Sequence, residues 1–361
     1  PRIDFSNNAK GALLLEPTRS NLFSYSEDFD NAAWTKSGAS VVSGFVSPSG
    51  DTSAFKLVED SISSSKSIKT SNFSVVNGQE YTISIFAKPN GRFLQITPSV
   101  AFVQSYINYD LNNGTMDLSG SGSASGTITL LSNGYYRCTY TAAANASSTI
   151  ASIFSCLVNS ISATRKPSYQ GDGTSGVYIY GAQVEQGSYA TSYIPTQGSA
   201  VTRIADVCNN GGNEQVINST EGVLYFEGSL FDIGLGNNKS ITLSSASNSD
   251  SIVLITGITA NKITAISRVG GSEVSARISG NITINVISKI AIRWGNGFIS
   301  LWINGSEISE VTKSAEAAAN SFTSLQFQKV TGPEPFYGKT KDLRVYNTAL
   351  TDAELQALTT I

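Results

Sequence analysis

Apolar and polar residues alternate along most of this chain in runs of five to ten. EYTISIFAKP (80–89), GRFLQITPSV (91–100), FVQSYINYDL (102–111), GYYRCTYTA (134–142) and GVYIYGAQVE (176–185) carry the pattern in the first half. GVLYFEGSLF (222–231), SIVLITGI (251–258), KITAISRV (262–269) and FISLWING (298–305) carry it in the second. A period of two puts successive side chains on opposite faces of a half-buried strand. Regularly spaced strands without intervening helices favour sandwiches over βαβ units. The pattern predicts an all-β chain of two tandem antiparallel β-sandwiches. Residues 1–20 read as an N-terminal lead-in, 21–195 as the first sandwich and 217–361 as the second. Between the sandwiches, 196–216 reads as a connector punctuated by Asn209-Asn210-Gly211-Gly212. One helix is predicted, at the C-terminus. In LTDAELQAL (350–358), Thr351 caps it, Glu354 bonds back to the cap, and Leu350 and Leu355 form a hydrophobic staple.

Composition narrows the function. Charged residues make up 14% of the 361, and the net charge is −3, so no electrostatic footprint for nucleic acid exists. No apolar run approaches the ~18 residues of a spanning helix. His is absent, which removes every mechanism that needs imidazole as a base. Cys138, Cys156 and Cys208 lack metal spacing and read as free thiols. The only Met is Met116, so the chain is expected to be the C-terminal part of a longer polypeptide.

EPTRSNLFSYSEDFDNAAWTK (16–36), GYYRC (134–138) and DGTSGVYIYGAQVEQGSYATSYIPT (172–196) resemble a carbohydrate-binding-module-like jelly-roll of bacteriophage tail and head fibre proteins. The resemblance spans residues 12–207. LWING (301–305) and LRVYNTALTDAELQAL (343–358) resemble concanavalin A-like and laminin-G-like lectin domains. Together the two resemblances imply a receptor-binding fibre protein of the virion, assembled in the bacterial host cytoplasm. They imply a homotrimer that contacts other phage structural proteins and a host surface polysaccharide or glycan, with no nucleic acid and no membrane insertion.

Sugars are gripped by ring faces against C–H surfaces and by amide, guanidinium or carboxylate groups at hydroxyls. In FVQSYINYDL, Phe102, Gln104, Tyr106 and Asn108 carry that chemistry, whereas Val103, Ile107, Tyr109 and Leu111 are apolar enough for the core. Phe93 with Gln95, and Tyr135 with Arg137, repeat the mixture on neighbouring strands, and Trp34 stands ready as a rim. These nine side chains are expected to line one shallow glycan groove on one sheet. A second reading competes, because aromatic rings are strand formers and a two-sheet core or a subunit contact needs them equally. Such jelly-rolls also imply a structural calcium, for which Glu27, Asp28 and Asp30 are ligands by type; no cofactor is required.

The second sandwich offers Trp294, Trp302 and Asn304, the last read with Gly305 as a two-residue hairpin turn. For glycan hydrolysis, the concanavalin A-like fold would need acids at alternate strand positions. Glu221 and Glu227 are instead near 20 Å apart at about 3.3 Å per residue, beyond the ~5–10 Å of acid pairs. The expected function is non-catalytic glycan binding. A structural subunit that never touches sugar, or a depolymerase with acids drawn from distant segments, are the alternatives.

Overall fold

The computed structural model describes residues 2–5, 9–120, 122–131, 133–236, 238–247, 249–328 and 335–361. Every pairing between its named strands is antiparallel, and the one helix among the described residues is Asp352–Thr359. The all-β architecture is as the alternation predicts. The chain divides into two compact units, Thr18–Ile204 and Pro1–Pro17 with Ala205–Ile361.

Thr18–Ile204 is a sandwich of two six-stranded sheets. The first runs Ser125–Leu130, Tyr136–Ala143, Glu80–Asn90, Gly176–Gln186, Ala54–Glu59 and Ala39–Phe45. The second runs Thr115–Gly120, Ser105–Asp110, Phe93–Pro98, Ile153–Val158, Lys66–Lys69 and Thr35–Ser37. Alternation decides which residues meet between them. Leu57, Ile83, Ile85 and Ile179 of the first sheet share a buried core with Leu94, Ile96, Ile107 and Leu157 of the second. Each such side chain gains about 1.5–3 kcal/mol by leaving water.

Pro1–Pro17 with Ala205–Ile361 is a second sandwich. Its seven-stranded sheet runs Arg2–Asp4, Ala12–Leu15, Gly338–Tyr346, Gly222–Leu230, Ser288–Gly295, Phe298–Ile303 and Ser306–Thr312. It packs Leu224, Phe226, Ile292, Trp294 and Leu301 against Ile241, Leu243, Ile252 and Leu254 of a six-stranded sheet. The helix has the predicted capping box: Glu354 N–H donates to the Thr351 hydroxyl, and Thr351 N–H donates to the Glu354 carboxylate at 2.8 Å. Leu355 seats it on Val223, Tyr225, Ala291 and Trp302, the sheet face opposite the core. Asn304 and Gly305 have φ of 51° and 83° and join antiparallel strands, as the two-residue turn requires.

Residues 1–20 are not a free lead-in. Leu13 to Leu15 pair with Thr340 to Gly338, and Arg19–Asn21 pairs with Val201–Arg203, a strand inside the stretch read as connector. Strands of three or four residues are too short to carry a period, and their partners lie at the far end of the unit's sequence.

Candidate functional site

The nine expected groove residues do not share a surface. Trp34 is buried between Phe23 and Phe29, with ring centroids 5.8 and 4.8 Å away, and its indole N–H donates to Tyr25 O at 2.8 Å. Phe102 is buried edge-on to Tyr81. Alternation mis-assigns it because the strand begins only at Ser105, after Ala101 at φ 72°. Gln104 is exposed ahead of that strand. The remaining six divide between the two outer faces of the sandwich, because period two gives a side chain its face but does not say which sheet the strand joins.

Phe93, Gln95, Tyr106 and Asn108 lie on the outer face of the second sheet. Phe93 and Tyr106 are partly buried, while Gln95 and Asn108 are fully buried. Gln95 Nε2 donates to Asn108 Oδ1 at 2.8 Å and to Thr164 O at 3.0 Å, and its Oε1 accepts from Lys166 N at 2.8 Å. Asn108 Nδ2 donates to Ile161 O at 2.9 Å and Ala163 O at 2.8 Å. Arg165 adds bonds to Thr97 Oγ1 and Pro98 O, both 2.8 Å. All four amide N–H groups are used, and the buried pair pins residues 161–166 over the sheet, so Gln95 and Asn108 are loop anchors closed off from a surface ligand.

Tyr135 and Arg137 belong to the outer face of the first sheet, where the structure assembles an aromatic trough. Phe86, Tyr180 and Tyr193 form a mutual cluster with centroids 5.7–6.0 Å apart. Phe45 and Tyr178 pair at 4.9 Å beside it, over the floor made by Tyr135 and Ala54. Arg137 lies over the Phe86 ring at 5.4 Å while donating to Ser84 Oγ at 2.9 Å and Thr191 O at 2.7 Å. Lys88 Nζ stands 5.8 Å from the Tyr135 centroid. Phe45, Phe86, Tyr178 and Tyr193 remain partly open to solvent.

A bulge builds this face. Ser84 opposes Gln183 but Phe86 opposes Tyr180, so Gly181 and Ala182 face a single residue. Gly181 has φ 58°, and a Cβ there would come within 3.0 Å of Phe86 and 3.2 Å of Tyr193. Only glycine lets both rings lie against the backbone. The bulge shifts the strand by one: Tyr178 and Tyr180 face out, then Ala182 and Val184 face the core. Straight alternation puts Tyr178 and Tyr180 of YIYG on the same face as Ala182 and Val184, and only the bulge turns the two tyrosines outward while the other two stay in the core.

The trough's polar rim is fixed. Tyr180 donates to Glu27 Oε1 at 2.8 Å, Tyr193 to Ser26 Oγ at 2.6 Å, and Asn90 Nδ2 to Tyr178 Oη at 3.2 Å. Burial, then the carboxylate of Glu27, pushes the Tyr180 phenol up to about 12. Burial raises Tyr193 further. These phenols stay neutral at any physiological pH. Glu27 thus serves the trough. Asp28 accepts from Asn31 Nδ2 and Asp30 lies 4.0 Å from Lys36 Nζ, so the three acids expected at a calcium are not gathered. Among the described residues, no three His, Cys, Asp or Glu side chains form a metal-binding group.

In the other unit, Trp294 and Trp302 are both buried, one in the core and one under the helix. Glu227 binds Tyr225 Oη and Lys341, and Glu221 accepts from Ala349 N.

Residues 233–356 match the model of the Concanavalin A-like lectin/glucanases superfamily. No curated protein matches the sequence. Among solved structures, the chain is similar to the CBM40 domain of the Ruminococcus gnavus IT-sialidase, at 17% identity over 39% of this chain and 83% of that one, TM-score 0.31. It is similar to domain 4 of the arabinanase AbnA from Geobacillus stearothermophilus, in complex with arabinotriose, at 18% identity over 48% and 81%, TM-score 0.34. Mouse laminin α1 LG4-5 matches at 9% identity over 78% and 88%, TM-score 0.27.

Proposed function

We propose that this chain is the glycan-binding part of a bacteriophage tail or head fibre, holding a host surface polysaccharide without cleaving it. The trough on Thr18–Ile204 is the contact. The observation that carries the reading is its chemistry: partly open rings flanked by a guanidinium, an ammonium and a carboxylate on a rigid sheet. Pyranose C–H faces stack on such rings, and hydroxyls bond to the rim. The superfamily match of residues 233–356 supports a lectin-type companion unit, but the helix lies on the outer face of its seven-stranded sheet. The sugar is therefore assigned to the first sandwich.

Binding at one open trough is weak, because each sugar hydroxyl exchanges water for protein at little net gain. Several copies on one particle, a homotrimer in this reading, raise the effective concentration. The test is a glycan array with the purified chain. Retention on a defined set of glycans, with no shortening of the bound polysaccharide, supports the proposal. Silence across the array points to a structural subunit, and release of shorter products to a depolymerase.

A further inference from the structure

Tyr178 stands between two lysines on the outer face of the first sheet. It pairs with Lys88 on one neighbouring strand and with Lys56 on the other. Residues directly opposite each other on adjacent strands share a face, so Lys88, Tyr178 and Lys56 form one row. Two strand spacings put the lysine Cα atoms about 10 Å apart. In the next row Arg137 pairs with Phe86, and Phe86 with Tyr180. These two rows bring three cations to the trough and no carboxylate.

Loops bring acids to the same unit, and each is engaged. Glu27 accepts the Tyr180 hydroxyl at 2.8 Å. Asp51 accepts from Ser47 Oγ at 2.7 Å and from Ser53 N at 3.0 Å. Asp172 accepts from Thr174 N and Ser175 N, both at 2.7 Å, and pairs with Arg92 at 3.1 Å. Lys56 Nζ donates to Thr174 O at 2.7 Å, and Lys88 Nζ to Asn133 O at 3.4 Å. An ammonium has three N–H donors, so each keeps donors to offer. Among the described residues neither lysine is ion-paired, and both are partly open to solvent, as is Tyr178.

We infer that the trough takes an acidic glycan, which stacks a sugar ring on Tyr178 and sets carboxylates of the flanking sugars on Lys56 and Lys88. The inference rests on the trough being the glycan site, and it adds the charge of the ligand. Charge-assisted hydrogen bonds are about twice as strong as neutral ones, so carboxylates gain more from these ammonium groups than sugar hydroxyls do. The whole chain has a net charge of −3 and exerts no general pull on a polyanion. The attraction is confined to this face.

The experiment presents the full chain with immobilised polygalacturonate, alginate, dextran sulfate, and neutral dextran and galactan. The carboxylated glycan retained best is then reduced with carbodiimide and borohydride. That treatment turns each carboxylate into a hydroxymethyl group and leaves the sugar ring free to stack. Native protein is compared with Lys56→Gln, Lys88→Gln and, in the other unit, Lys262→Gln, each checked for folding by a circular-dichroism melt. The expected result is retention on a carboxylated glycan and about tenfold weaker binding after its reduction. Lys56→Gln and Lys88→Gln should each bind several-fold more weakly, and Lys262→Gln should keep native affinity. Retention on the neutral glycans or on dextran sulfate alone overturns the inference and leaves the trough as a glycan site. So does equal binding of the reduced glycan, native affinity in folded Lys56→Gln and Lys88→Gln, or an equal loss in Lys262→Gln. Silence on every glycan overturns the glycan-binding reading itself, and this inference with it.

Discussion

Replacing Asn108 with alanine separates a structural role from a ligand-binding one. Asn108 makes three hydrogen bonds, to Ile161 O, Ala163 O and Gln95 Nε2. At about 1 kcal/mol each, their removal costs about 3 kcal/mol. The freed carbonyls belong to partly buried residues that water can reach, which trims the loss. Gln95 is fully buried, so its stranded N–H keeps its penalty. The expected destabilisation is about 2–4 kcal/mol. For a unit of this size that lowers the melting temperature by about 5–12 °C. Thermal unfolding followed by near-ultraviolet circular dichroism is the assay, fitted as two transitions because two units need not unfold together. Only one transition should shift, and binding of an array-positive glycan below that transition should persist. An unchanged melt with binding abolished would refute the reasoning and make Asn108 a ligand contact.

Acid should weaken the fold with a defined sign. The hydroxyl of Ser53 holds Asp51 below the usual carboxylate range, the Lys66 ammonium does so for Asp60, and Ser175 with its backbone N–H does so for Asp172. Carboxyls depressed in the folded state stabilise it above about pH 4 and lose that contribution as pH falls through their lowered values. The melting temperature should therefore drop between about pH 4 and 2, and less steeply for Asp172→Asn. In the other direction, burial pushes Tyr135 and Tyr180 up to about 12, so stability should decline as pH rises beyond about 10. The two buried tryptophans of the second unit should respond differently to phenylalanine in urea unfolding. Trp294 N–H donates to Asn218 O at 3.2 Å, whereas the buried Trp302 N–H has no hydrogen-bond partner. Trp302→Phe should then cost at least about 1 kcal/mol less than Trp294→Phe; equal losses would contradict this. Leu355→Ala should cost about 2–5 kcal/mol, because it empties the contact that seats the helix.

Much of the fold was legible because it rests on local period. Alternation identified the long strands, Asn304-Gly305 the hairpin turn, and Thr351 with Glu354 the helix start. The short strands Ala12–Leu15 and Val201–Arg203 were not legible, since their existence depends on partners remote in sequence. The site was legible as chemistry and misread as geography. Gln95 and Asn108 do alternate outward, but a loop from 161 to 166 lies on them. Tyr135 and Arg137 also alternate outward, on the opposite sheet. Tyr178 and Tyr180 were readable only with the bulge at Gly181, which reverses the alternation within one strand. Register fixes a face; sheet order and covering loops decide what that face meets.

The most direct test of the central claim is a titration of one array-positive oligosaccharide against two variants, Tyr178→Ala and Tyr106→Ala. The first removes a partly open ring from the trough, and the second removes one from the outer face of the opposite sheet. Tyr178→Ala should weaken binding about tenfold or more, equivalent to about 1.4 kcal/mol, while Tyr106→Ala retains native affinity. Loss of binding in Tyr106→Ala with native affinity in Tyr178→Ala would place the glycan on the other face and contradict the account.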